Sequence, residues 1–161
     1  MDWYDAAADY YLRACDHGGL SALPAEWQRE LVALMLVNRE VNNGAYLQFL
    51  VNHGRETYVL ASRALRAIGA PTMAGIVDRC QALVDQHFPT KGRSPDELRL
   101  LLPNPILGRD GQTIKDAGSV LPEAALARVY KLSHEFMNYP EDVGPLAQRY
   151  YGPLIAADRT A

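Results

Sequence analysis

Along most of this chain, apolar side chains recur at the three-to-four-residue spacing of an α-helix. The cleanest stretch is Pro71 to Phe88, where Met73, Ile76, Val77, Cys80, Leu83, Val84 and His87 share one stripe. Asp78, Gln81, Asp85 and Gln86 fall on the other face, and Pro71 suits a first turn, where its missing N–H is no loss. The preceding segment, Glu56 to Ile68, aligns Tyr58, Ala61, Leu65 and Ile68 and stops at Gly69, a natural left-handed C-cap. Together the two segments predict an antiparallel hairpin with a very short connection. Pro24 to Val41 predicts another helix, with Trp27, Leu31, Leu34, Met35 and Asn38 along one side. Ala45 to Asn52 is short and apolar almost all round, which predicts deep burial. Residues 2 to 15 predict a first helix stopped by Gly18-Gly19. Pro122 to Asn138 predicts one facing inward through Leu126, Val129, Tyr130, Phe136 and Met137. A last helix, Asp142 to Ala156, is expected to kink or split at Gly152-Pro153.

Between about 89 and 120 the pattern breaks down into prolines and glycines. Inside it, Ser94-Pro95-Asp96-Glu97 reads as a capping box with proline at the first helical position, followed by Leu98 and Leu100 to Leu102. Asp110-Gly111 is a turn signal that could close a small hairpin between Ile106 and Ile114. No internal repeat or strand of useful length stands out. The expectation is a single all-α domain over 1–161, with six to eight helices and one irregular stretch. At 161 residues the chain is long enough to hold a core without disulfide or metal.

Charge and chemistry narrow the function. Sixteen basic against nineteen acidic residues leave a net charge of -3, which lacks the basic footprint of a nucleic-acid binder. Cys15 and Cys80 form no C-x-x-C pair and read as free thiols of a reducing compartment. The N-terminus shows no signal-peptide pattern. The longest apolar run, Leu31 to Val37, is far short of the ~20 residues that span a bilayer, so a cytoplasmic location is expected. Of the four histidines, His17, His53 and His87 sit at predicted helix C-termini, where the helix dipole favours an imidazolium, and none belongs to an H-E-x-x-H motif. No nucleophile elbow is present, and Ser133-His134-Glu135 point in three directions on a helix. Gly108 to Thr113 lacks the lysine and spacing of a phosphate loop and reads as a surface turn. No cofactor, metal or catalytic residue is assigned.

The most unusual segment is E-V-N-N-G-A-Y-L-Q-F-L-V-N-H-G, from Glu40 to Gly54. Asn43 can cap the helix that follows by accepting a backbone N–H. Gln48 and Asn52 share a face at i, i+4, as do Asn38 and Asn42, and buried amides must find partners. A polar network of Glu40, Asn42, Asn43, Gly44, Tyr46, Gln48 and Asn52 that locks two helices together accounts for all of them; a pocket built on the same groups is the alternative. This run resembles the E-x-x-N-G-G-F-x-Q-F/Y-F-x-N-x-x-G core of the DNA mimic protein-like family. The likeness continues in Ala64-Leu65-Arg66-Ala67-Ile68-Gly69-Ala70. It covers about 25–88 well, and the region from Leu132 and Phe136 to Tyr150 more loosely. Ala45 stands where the family prefers a second glycine, and Tyr46 and Leu50 stand where it favours phenylalanine.

The resemblance implies an all-α fold and, in the family's named member, imitation of DNA's charge pattern to occupy a helix-turn-helix regulator. That role depends on surface carboxylates held near the phosphate spacing. Asp2, Asp5 and Asp9 recur at i, i+3, i+7 on the first helix, and Asp16 continues the stripe, with Arg13 inside it. Asp5 and Asp9 would lie about 6 Å apart along the axis. Glu141 and Asp142 read as negative charge at the start of the last helix. Three readings stand: a protein-binding module acting through Asp2, Asp5, Asp9 and Asp16, with a DNA-binding regulator as a candidate partner; a neutralising partner in a toxin or defence system; and an enzyme or small-molecule binder built on the Glu40–Asn52 cluster. Self-association is open in each, and neither direct nucleic-acid nor membrane binding is expected.

Overall fold

The apolar stripes fold into six α-helices and one short 3-10 helix, as seen in a computed structural model that describes residues 2–102 and 120–160. In order these are α1 (Trp3–Asp16), the 3-10 turn Leu20–Ala22, α2 (Glu26–Ala67), α3 (Pro71–His87), α4 (Pro95–Leu101), α5 (Glu123–Met137) and α6 (Val143–Asp158). The chain is all-α, and no strand occurs among the described residues. The Asp110-Gly111 hairpin and the Gly108 to Thr113 turn lie outside the described residues.

α2 is the hub, touching α1, α3, α4, α5 and α6. Its backbone is non-helical at Gly44, Ala45 and Gly54, so it consists of three helical segments, 26–43, 46–53 and 55–67. These correspond to the three helices that the apolar spacing predicts there. The first segment is more enclosed than a one-sided stripe suggests: every residue from Glu30 to Val37 is buried, because neighbours cover it on all sides. Gly69, at φ +87, ends the third segment and turns the chain into α3, whose first residue is Pro71.

α3 packs between α2 and α5. Two covered sides leave less of it in solvent than the stripe implies, so Gln81, read as surface, is 1% exposed. His87, read as buried, is instead exposed; the chain leaves the helix there and Phe88 takes the buried place. The capping box forms as expected: Ser94 Oγ accepts from Glu97 N–H, and Glu97 accepts from Ser94 N–H. In α5 the inward face is carried by Ala125, Val129, Leu132, Ser133 and Phe136, with Leu126, Tyr130 and Met137 at its margins. α6 runs through Pro153 without splitting. Pro153 and Arg149, the residue whose carbonyl loses its partner, both lie on the exposed face.

Candidate functional site

Glu40 lies near the end of the first α2 segment and is 6% exposed. Its Oε2 accepts from Gln48 Nε2 at 2.8 Å and from Asn52 Nδ2 at 3.0 Å. Its Oε1 accepts from Arg39 Nη2 at 2.9 Å and Nε at 3.1 Å. On one straight helix, side chains eight and twelve residues along would sit about 12 and 18 Å further up the axis. The contacts therefore require the chain to turn at 44–45, bringing the Gln48/Asn52 face of segment 46–53 back over Glu40. Gly44 leaves the space: a Cβ there would lie 1.8 Å from Gln48 Oε1. Ala45 turns the chain, at φ 67 and ψ 177, a conformation normally left to glycine. Burial pushes the Glu40 carboxyl up, yet the Gln48, Arg39 and Asn52 hydrogen bonds outweigh it and bring its pKa down to about 2.

His53 stands beside this clamp, its Nε2 3.5 Å from Glu40 Oε1 and its ring against Phe49 and Tyr11. Tyr11 also receives Arg39, whose guanidinium carbon lies 5.6 Å from the ring centre. His53 does end a helical segment, but burial lowers its pKa despite the neighbouring carboxylate, so desolvation prevails over the dipole there.

The start of segment 46–53 is capped from across the fold. Asn43 is exposed and makes no cap bond; Tyr46 N–H instead donates to Ser133 Oγ of α5 at 3.0 Å. Asn42 is exposed too, its Nδ2 bonding the Asn38 backbone carbonyl, while Asn38 Oδ1 is buried without a partner among the described residues. Tyr46 points the opposite way from Gln48. Its hydroxyl donates to Gln81 Oε1 at 2.6 Å, Gln81 donates to Thr90, and Thr90 donates to Asp85, which also pairs with Arg55. Segment 46–53 is thus clamped on two sides. Gln81, Thr90 and Ser133 carry no motif that singles them out; their i, i+3 and loop positions look ordinary until the helices pack.

The acidic stripe is divided among several tasks. Asp2 is the N-cap of α1, accepting from Asp5 N–H, and Asp9 pairs with Arg159 at 3.3 Å. Asp5 and Asp16 are exposed, and Arg13 lies over the Tyr10 ring. Glu141 does not serve the last helix: its two oxygens accept from Thr72 and Met73 N–H and so cap α3. No cluster of three or more His, Cys, Asp or Glu able to hold a metal occurs among the described residues. Cys15 is free and exposed, whereas Cys80 is buried, with its thiol pushed up to about 12 by desolvation. Among the clefts lined by the described residues are two of about 900 and 290 Å³. Neither is lined by Glu40, Asn42, Asn43, Tyr46, Gln48 or Asn52.

A family model described as DMP19-like protein matches residues 21–152. The chain belongs to the DMP19-like family. The match reaches beyond the 25–88 core of the resemblance and takes in α4, α5 and most of α6. No curated protein and no solved structure matches the chain. The geometry gives a physical reason for the glycine that the family motif places at 45, since the backbone there has positive φ. At 46, where the motif favours phenylalanine, this DMP19-like chain has a tyrosine whose added hydroxyl finds Gln81. Leu50 fills its motif position fully buried. No helix among the described residues is long and apolar enough to cross a membrane.

Proposed function

We propose that the chain is a non-enzymatic, cytoplasmic protein-binding module that engages its partner through the acidic face of α1, with a DNA-binding regulator as the partner class. One observation carries the reading. α1 is held rigidly by its buried face, Trp3, Ala6, Ala7, Tyr10 and Ala14, while Asp2, Asp5 and Asp16 stay exposed on the outside. Further anchoring comes from Trp3 N–H to Gln148 and from the Tyr10 hydroxyl to Asp158 at 2.6 Å. Carboxylates on a fixed helix meet a basic groove without an ordering cost, and such attraction is long-ranged and salt-sensitive. Asp9 is shared with Arg159 and contributes less until that pair opens. In this reading Glu40, Asn42, Asn43, Gly44, Tyr46, Gln48 and Asn52 shape the scaffold and make no contact with the partner.

The test begins with affinity capture from native lysate. The captured protein is then purified and titrated against the wild type and the D5K/D16K variant over a salt series. A DNA-binding partner displaced by duplex DNA, bound less tightly as salt rises and lost on charge reversal, is the expected result. Capture unchanged by the reversal at low salt refutes the electrostatic contact. A salt-insensitive, shape-specific complex would favour a neutralising partner of a toxin.

A further inference from the structure

The larger cleft has the opposite electrostatic character to α1. It lies between the Gly18–Ser21 loop, the second break in α2 and the loop leading to α4. Four cationic side chains line it, Arg29, Arg55, Lys91 and Arg93, against two carboxylates, Glu26 and Glu56, on a chain whose net charge is -3. The pairing of these groups matters more than their number. Arg55 is committed to Asp85, and Glu26 to Arg63, a residue outside the cleft. Arg93 lies over the Phe88 ring. Arg29 and Lys91 have no side-chain hydrogen bond or ion pair among the described residues, and Arg29 Nε is buried without a partner. Glu26 and Glu30 lie close enough to act on the Arg29 charge, but its Nε remains a desolvated donor without a hydrogen-bond partner, which is costly unless something completes it.

The shape adds a second constraint. Gly18, Gly19, Gly54 and Gly92 all line the cleft with positive φ, so no side chain screens the main chain there. Leu20, Val59, Leu60 and Pro95 add apolar surface to its lining. About 900 Å³ is the size of a site for a small organic ligand. Arg29 belongs to α2, and Lys91 to the loop before α4, so a ligand meeting both needs anionic groups at two points.

We propose that this cleft binds a small organic polyanion, a partly apolar body bearing two or more phosphate or carboxylate groups. Arg29 and Lys91 are its primary contacts, and Arg93 a supporting one. The site is independent of the acidic face of α1 and uses none of its residues.

Calorimetric titration of the full chain tests this with two probes, ATP for the phosphate arm and citrate for the carboxylate arm. Saturable binding of at least one probe is expected, and which one binds identifies the anionic group. R29Q and K91Q should each weaken it about tenfold or more, as loss of one charged hydrogen bond implies. R149Q, which removes an exposed cation outside the cleft, should leave affinity unchanged. Lys91 is exposed, so K91Q keeps the test informative if R29Q folds poorly. Absence of binding by both probes at millimolar concentration overturns the proposal. So does binding that survives K91Q together with R29Q, or duplex DNA binding through the same residues in place of a small ligand.

Discussion

Replacing Glu40 by glutamine removes one charge from the centre of the family motif while keeping the side-chain shape. In the folded chain that carboxylate accepts from Gln48, Asn52 and twice from Arg39, and its pKa falls from 4.5 to about 2. Because the folded-state value is depressed, the stabilisation is complete above the unfolded value near 4.5 and is lost as pH falls towards about 2. The difference corresponds to roughly 3 kcal/mol at neutral pH. An independent route gives a similar size, since removing one member of a buried, hydrogen-bonded charge pair costs about 3–5 kcal/mol. Glutamine retains one acceptor oxygen but turns an NH₂ towards groups that are themselves donors, so little of the loss is recovered.

For Glu40→Gln we therefore expect a loss of about 2–4 kcal/mol in urea unfolding at pH 7. The melting temperature should fall by about 4–16 °C, given roughly 2–4 °C per kcal/mol for a chain of this size. The discriminating measurement is the wild-type minus variant difference against pH. It should shrink towards zero between about 4.5 and 2, below the range just under 6.5 where His53, whose pKa the Glu40 carboxylate raises, adds its own titration to the difference. Asp78, Asp85 and Glu141 also have lowered values, but they titrate in both proteins and cancel in the difference. A variant within about 0.5 kcal/mol of wild type at pH 7, or a difference that stays flat below pH 4.5, refutes the account of the clamp.

Ala45→Gly should stabilise the chain by about 1 kcal/mol or more in the same assay, because alanine at φ 67 is strained and glycine is not; a destabilised variant would show that the turn is not strained. Ser133→Ala removes the acceptor for the buried Tyr46 N–H and should cost about 1–3 kcal/mol, with amide exchange at Tyr46 accelerated. His53→Gln should flatten stability against pH just below 6.5. The lowered His53 value means that stability is present above the unfolded pKa and is lost as pH falls through the folded one. An unchanged profile there would remove His53 from the pH response.

The helices themselves were legible from one-dimensional periodicity, since each needs only its own apolar spacing and end signals. Gly69 and the Ser94–Glu97 box work this way, because capping is a contact between residues a few positions apart. The Glu40–Gln48–Asn52 association was half legible. Amides at i, i+4 beside a carboxylate must find partners, but the bend that brings them together depends on φ/ψ values at 44 and 45 that no periodicity encodes. Long-range pairings were not legible at all. Glu141 caps α3 and not its own helix, Ser133 takes the cap expected of Asn43, and Gln81 leaves its polar stripe to bond Tyr46.

By itself, then, the sequence determined which segments are helical, where they begin and end, and which family motif they carry, because those are local properties of spacing and backbone propensity. Tertiary structure decided who partners whom. It turned the unremarkable residues Ser133, Gln81 and Thr90 into fixtures of the core, and it shared the α1 carboxylates between capping, pairing and exposure. It also gathered Arg29, Lys91 and Arg93 at one cleft from distant points of a net-acidic chain. The physical reason is common to all of these. Hydrogen bonds and charges act over a few ångströms in space, and the distance in space between residues far apart in the chain is set only when the helices pack.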